Sequence, residues 1–198
     1  MITLDKTRNY IVSGLERSGT SLLMQMLHAG DIPTASDTLR PADEHNPKGY
    51  YELEGGKIIN RLMEKTFPME KYKGVFIKIT AYGLQFLPPG KYTIIYSERN
   101  LDEIMDSMEK MTKTKDTNRK ETKESFRKLN NLIKKQIESR NDIHVLFVNY
   151  NDIIFQPEHI GGKIIDFLGC TDVDIHDMIA TVDKNLYRQR RKTTENTS

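Results

Sequence analysis

The segment Gly14-Leu-Glu-Arg-Ser-Gly-Thr-Ser21 constrains the fold of this chain more than any other part of the sequence. It follows a short apolar stretch at residues 10–13, and it precedes apolar residues that recur at helical spacing (Leu22, Leu23, Met26 and Leu27). A strand, a glycine-containing turn and a helix in this order match the phosphate-binding pattern G-x-x-x-x-G-K-[ST], with Thr20 in place of the lysine. Backbone N–H groups and hydroxyls at such a helix start bind an anion, and the guanidinium of Arg17 adds positive charge.

The rest of the sequence alternates apolar strands with amphipathic helices. The pattern predicts strands at 74–80, 92–97 and 144–150, and helices at 57–66, from Leu101, through 113–140 and at 158–168, ending at Gly169. Five apolar residues are expected to fix the 113–140 helix to the core: Phe126, Leu129, Leu132, Ile133 and Ile137. These elements predict an α/β, three-layer, P-loop NTPase-like fold, in which helices flank a central, mostly parallel sheet. We expect a single domain spanning residues 1–198.

Charge and composition exclude several classes of protein. The formal net charge is +2, which is too small to indicate a nucleic-acid partner. Residues 113–140 nevertheless hold ten Lys and Arg against four acids, so we interpret this stretch as a basic helical insertion and residues 188–198 as a basic polar tail. The lone Cys170, the polar N-terminal residues and the lack of a long apolar run predict a cytoplasmic protein with no membrane span.

A second anion site is indicated after the strand at 92–97. Arg99 follows this strand at its carboxyl end, where ligands collect in open α/β sheets, and Ser107 lies two helical turns further on. An arginine and a hydroxyl that converge on one phosphate form charge-assisted hydrogen bonds. The residues therefore predict two anion sites, one at Arg17 and one at Arg99 with Ser107.

Both sites resemble motifs of the sulfotransferases. Arg17-Ser-Gly-Thr-Ser21 resembles their 5′-phosphosulfate loop, and Arg99-Asn-Leu-Asp followed by Ser107 resembles their 3′-phosphate motif, with Leu101 in place of the usual proline. The resemblance implies that 3′-phosphoadenosine 5′-phosphosulfate (PAPS) binds here without a metal, and that the product is the bisphosphate PAP. It implies nucleotide contacts from ten residues: Gly14, Arg17, Ser18, Gly19, Thr20, Ser21, Arg99, Ser107, Tyr150 and Arg188.

Further stretches extend the resemblance over most of the chain. Phe76-Ile-Lys78 is similar to the strand that presents a catalytic lysine, and Val148-Asn-Tyr150 is similar to a segment whose tyrosine lies near the adenine. The segment 182–190, which includes Arg188, is similar to the closing segment of small bacterial members.

The general base is the least defined part of the predicted site. Many cytosolic relatives use a histidine two residues after the strand lysine, but Thr80 holds that position here and cannot serve. Residues 46–52 resemble a segment that supplies a carboxylate in bacterial members, so Glu52 is the first choice, with His45 and Glu44 as alternatives. Arg17, Glu52 and Lys78 are thus the expected catalytic residues.

Two other functions stay open at this point. A kinase of nucleotides or small molecules could use a degenerate phosphate loop, and a non-enzymatic anion- or nucleic-acid-binding module could use residues 113–140. The expected acceptor is a small molecule or a glycan that offers a hydroxyl or an amine, and no nucleic-acid partner is expected.

Overall fold

The computed structural model describes residues 2–44 and 46–187, and within them a four-stranded sheet forms the centre of the fold. Its strands are β1 (Asn9–Gly14), β2 (Phe76–Lys78), β3 (Tyr92–Glu98) and β4 (Ile143–Asn149). All three strand pairings are parallel, and the spatial order is β2-β1-β3-β4. The strand that follows β1 lies on one side of it, whereas the strand that follows β3 lies on the other side. The strand order therefore reverses between β1 and β3, and the ligand crevice of such a sheet lies between the carboxyl ends of these two strands.

Seven α-helices are present among the described residues. They are α1 (Thr20–Ala29), α2 (Ile58–Met63), α3 (Leu101–Thr112), α4 (Arg119–Glu138), α5 (Tyr150–Phe155), α6 (Pro157–Leu168) and α7 (Ile175–Ala180). Four short 3-10 helices complete the described structure, at Glu54–Gly56, Met69–Tyr72, Ala81–Phe86 and Lys184–Leu186.

The helices cover both faces of the sheet. Ile11, Ile94 and Tyr96 pack with apolar residues of α2, α3 and α4, whereas Val12 and Ile95 pack with those of α1, α6 and α7. Residues that alternate along each strand therefore enter two separate cores, which explains why β1 and β3 are apolar on both faces. This arrangement confirms the predicted three-layer α/β fold with a parallel sheet.

Helix α4, which occupies most of the basic stretch, packs on the sheet through its apolar face. Ile133 and Ile137 are buried in the core, but Leu132 is 54% exposed, so the prediction that Leu132 would fix the helix was wrong. Leu132 precedes Ile133 by one residue, which is about 100° around a helix, and it therefore falls outside the narrow buried stripe. Several basic side chains of α4 pair with acids of neighbouring elements: Arg119 with Asp106 and Glu109, Lys123 with Asp102, and Lys134 with Glu98.

One strand boundary was wrong, and one helix was missed. Strand β4 ends at Asn149, and Tyr150, which was predicted to end that strand, instead begins α5. The side chain of Asn149 accepts a hydrogen bond from the backbone N–H of Asn151, so Asn149 is the N-cap that starts the helix. Helix α7 was not predicted, although Asp174 caps it in the same way. No helix among the described residues is both long and apolar enough to cross a membrane.

Candidate nucleotide-binding site

The loop between β1 and α1 is a tight turn that contains left-handed backbone conformations. Arg17 and Gly19 adopt positive φ angles of 64° and 105°. At Gly14 a Cβ atom would lie 2.5 Å from the carbonyl oxygen of Ser97, so only glycine fits there. The hydroxyl of Ser97 donates to the carbonyl of Ser18 over 2.7 Å, which fixes the loop to β3. The predicted residues Gly14 and Ser18 thus form the back of the loop, and Ser18 is fully buried.

The structure brings the two predicted anion sites together. Arg17 Nε donates to Ser107 Oγ over 3.0 Å, and Arg99 Nη1 donates to the backbone carbonyl of Arg17 over 3.0 Å. All three residues line one cavity of about 330 Å³, together with Gly19, Thr20 and Ser21 of the loop. The sulfotransferase resemblance assigns Arg17 and Ser107 to different phosphates of one nucleotide, whereas their side chains are in direct contact here.

Tyr150 lies at the junction of the loop and Arg99. Its ring is 4.3 Å from the guanidinium carbon of Arg99, and it also borders Gly19, where a Cβ would come within 2.2 Å of the ring. The side chain is buried, and this burial raises the pKa of its hydroxyl. Tyr150 lines the cavity, and contact with an adenine stays a prediction for this residue.

On the opposite wall, a buried lysine meets a carboxylate. The side chain of Lys78, the last residue of β2, is 4% exposed, and its Nζ lies 2.9 Å from Glu52 Oε1. The same ammonium donates to Ser21 Oγ over 3.1 Å and to the backbone carbonyl of Tyr50. Burial lowers the pKa of Lys78, while the charge of Glu52 opposes that effect. The predicted catalytic pair is therefore one ion pair on the cavity wall.

Arg40 is a site residue that the sequence argument missed. Its Nη1 lies 3.0 Å from Glu52 Oε2, and its guanidinium stacks on the ring of Tyr50 at 3.5 Å. Glu52 is thereby held between two cations, Arg40 and Lys78. Arg40 belongs to the long loop after α1, and the sequence of this loop shows no periodicity. The only sequence feature that could have indicated a role in the site was its positive charge in the segment before Glu52.

The remaining predicted residues lie elsewhere. Glu44 is exposed, pairs with Lys113 over 3.6 Å and is not among the residues that line the cavity. His45 and Arg188 lie outside the described residues. Glu103, another residue that was not predicted, is buried beside Arg99 in the first turn of α3.

The charge of the cavity favours an anionic ligand. Of the residues that the structure describes, five cationic side chains line it, against three acidic ones (Arg17, Arg40, Lys78, Arg99 and Lys110; Glu16, Glu52 and Asp183). The hydroxyls of Thr20, Ser21 and Ser107, which also line it, add hydrogen-bond donors. Over the described ranges, no group of three His, Cys, Asp or Glu side chains is arranged to hold a metal ion. Fold and site together define an α/β protein in which the loop between β1 and α1 and a second arginine, Arg99, line the same cavity.

Several solved structures have a fold similar to that of this chain, and the three described here are sulfotransferases. The sulfotransferase domain of the Synechococcus olefin synthase matches with a TM-score of 0.58 at 17% identity, over 91% of this chain and 79% of that one. A sulfotransferase from Mycobacterium tuberculosis matches with a TM-score of 0.58 at 14% identity, over 89% and 72%. The sulfotransferase domain of the curacin biosynthetic pathway gives 0.51 at 14% identity, over 88% and 77%.

Sequence comparisons do not extend this result. No protein-family model matches the chain, and no curated protein matches its sequence. The likeness is therefore one of fold, and the fold of this chain matches that of the sulfotransferase family.

Proposed function

We propose that the chain is a PAPS-dependent sulfotransferase that transfers a sulfuryl group to a hydroxyl or amine acceptor. The observation that supports this most is the convergence of Arg17, Arg99 and Ser107 on one cavity at the carboxyl ends of β1 and β3. A ligand with one phosphate would need only the loop at Gly14–Ser21. A second arginine and a serine beside that loop suit a nucleotide with phosphates at two positions.

The residues present fit such a nucleotide. Under this proposal, the loop N–H groups, Thr20 and Arg17 bind the 5′ phosphosulfate, and Arg99 with Ser107 binds the 3′ phosphate. PAPS, when bound, supplies the sulfuryl group and leaves as PAP. Arg17 Nε donates to Ser107 in the present arrangement, so one guanidinium contacts both regions and can stabilise charge on either.

Lys78 supplies a fixed cation next to the loop. In P-loop NTPases, the hydroxyl at the position of Ser21 holds Mg²⁺. Here the ammonium of Lys78 donates to that hydroxyl. Lys78 therefore places a positive charge where the NTPases place a metal, and a sulfuryl group, with a single negative charge, needs less neutralisation than a phosphoryl group.

Glu52 is the proposed general base. Its carboxylate lines the cavity beside Lys78, and the contacts with Lys78 and Arg40 fix its orientation. A carboxylate held in one orientation on the cavity wall can accept the proton of an acceptor that binds in the cavity. His45 and Glu44 stay alternatives, and the acceptor class and a cytoplasmic location stay proposals.

Binding of two isomeric nucleotides tests the proposed function. PAP and ADP have the same composition, but only PAP has a 3′ phosphate, and its two monoester phosphates can carry one more negative charge than the diphosphate of ADP. In calorimetric titrations without Mg²⁺, the protein should bind PAP at least about tenfold more tightly than ADP, since charge-assisted hydrogen bonds contribute about 1.5–3 kcal/mol each. Arg99→Ala should remove this preference, and Arg127→Ala, an exposed arginine that is not part of the cavity lining, should retain it.

The same titrations distinguish the alternatives. A preference for ATP with Mg²⁺ over PAP would indicate a kinase and would contradict the proposal. Absence of nucleotide binding, together with salt-sensitive binding of an unrelated RNA, would indicate an anion-binding module. Activity is measured as the release of PAP from PAPS in the presence of a panel of hydroxyl and amine acceptors. This release should require the side chain of Arg17.

A further inference from the structure

Glu103 is a buried carboxylate to which the proposed reaction assigns no role. It lies in the first turn of α3 and is 1% exposed. A buried carboxylate is strongly unfavourable unless charged or polar partners compensate for the lost water. Glu103 has such partners on both oxygens: Oε2 accepts from Arg99 Nε over 3.0 Å, and Oε1 accepts from the hydroxyl of Tyr187 over 2.6 Å.

Tyr187 reaches this site from the far end of the chain. It lies 84 positions from Glu103, and its buried ring packs edge-on against Tyr150 and Phe155 with centroid distances of 5.7 Å. Burial and the hydrogen bond to Glu103 raise the pKa of Tyr187 to about 12, so the hydroxyl is a donor at neutral pH. The segment that precedes it contributes Thr181, Asp183 and Leu186 to the cavity wall.

These contacts determine the orientation of Arg99. Glu103 holds its Nε, the carbonyl of Arg17 holds Nη1, and the ring of Tyr150 covers one face. Among the residues that the structure describes, Nη2 of Arg99 makes no hydrogen bond, and the side chain lines the cavity. A guanidinium that is fixed along its Nε edge keeps its terminal donors for a ligand.

We propose that Tyr187 and Glu103 are positioning residues that hold the guanidinium of Arg99 in the orientation that binds the 3′ phosphate. The inference rests on the proposed function, since it assigns that phosphate to Arg99. Without the Tyr187 hydroxyl, Oε1 of Glu103 loses a donor in a buried setting and attracts the terminal donors of Arg99 to itself. The 3′ phosphate then loses hydrogen bonds, while the loop at Gly14–Ser21 keeps those to the 5′ side.

The test is the affinity ratio of PAP to ADP in Tyr187→Phe, measured by calorimetry without Mg²⁺. The variant should bind PAP about tenfold more weakly than the wild type, since a hydrogen bond to a charged group is lost. Its affinity for ADP should be unchanged within about twofold, because ADP has no 3′ phosphate. Glu103→Gln should lower the same ratio, since a single amide oxygen cannot replace two carboxylate oxygens.

Tyr96→Phe is the matched control. The hydroxyl of Tyr96 donates to Asn130 Oδ1 over 2.7 Å, and Tyr96 is not part of the cavity lining. Its loss should lower the melting temperature and leave the PAP to ADP ratio intact. A Tyr187→Phe or Glu103→Gln variant that melts earlier but keeps the wild-type ratio would overturn the positioning role. A wild-type protein that does not prefer PAP to ADP would instead refute the proposed function, and the inference with it.

Discussion

Gly19→Ala perturbs the contact between the phosphate loop and Tyr150. At φ 105° an L-residue is strained, which costs about 1–3 kcal/mol. The added Cβ would also lie 2.2 Å from one ring carbon of Tyr150 and 2.8 Å from the next. Ordinary contacts are about 3.5–4.0 Å, so the ring must move by more than about 1 Å. Overpacking of this kind costs about a further 1–3 kcal/mol.

The expected total is a loss of about 2–6 kcal/mol in the free energy of unfolding, measured by urea denaturation. For a chain of this size, each kcal/mol lowers the melting temperature by about 2–4 °C. The displaced ring also leaves the guanidinium of Arg99, so PAP should bind more weakly to the folded variant. Gly162→Ala is the control, because a Cβ at Gly162 meets no atom within 4 Å. This helical site should be neutral or gain about 0.5–1 kcal/mol.

A double-mutant cycle separates the two costs. When Gly19→Ala is combined with Tyr150→Ala the ring is absent, so only the backbone strain at position 19 should add to the cost of Tyr150→Ala. The pair should therefore be more stable than the sum of the single variants by about 1–3 kcal/mol. If the losses of stability in the two single variants simply add in the double variant, the ring of Tyr150 does not restrict position 19 to glycine.

Three further predictions concern the chemistry. Arg17→Ala should abolish sulfuryl transfer from PAPS while the far-ultraviolet circular dichroism stays that of the wild type; equal turnover would remove Arg17 from the mechanism. Glu52→Gln should lower kcat by about 10²–10⁴-fold, and an unchanged kcat would transfer the general-base role to His45 or Glu44. Since burial lowers the pKa of Lys78, kcat should fall with rising pH below the range where an exposed lysine titrates. Lys78→Arg, which stays charged, should lose this alkaline decrease, and a decrease that persists would point to another group.

Much of the fold was predictable because its signals are local. Strands β1 and β3 are short apolar runs that end in turns, α1 repeats apolar residues at helical spacing, and α6 ends at Gly169 as predicted. The exception at Tyr150 is also local in origin. The Asn149 cap was present in the sequence, but an apolar run into Tyr150 favoured a longer strand.

The site was only partly predictable, because its contacts join distant segments. The loop at Gly14–Ser21 and the pair Arg99 and Ser107 have recognisable spacing, and a parallel sheet brings the ends of β1 and β3 together. No spacing indicates that Arg40 would lie beside Glu52, or that Tyr187 would contact Glu103 across 84 positions. Such pairs depend on how the long loop and the C-terminal segment pack, which periodicity does not encode.

A crystal structure of the protein with PAP tests the central proposal most directly. We expect the 5′ phosphate on the loop Gly14–Ser21 and the 3′ phosphate within hydrogen-bond distance of Arg99 and Ser107. A nucleotide that binds in another cleft, or one whose 3′ phosphate contacts neither residue, would contradict the proposed function.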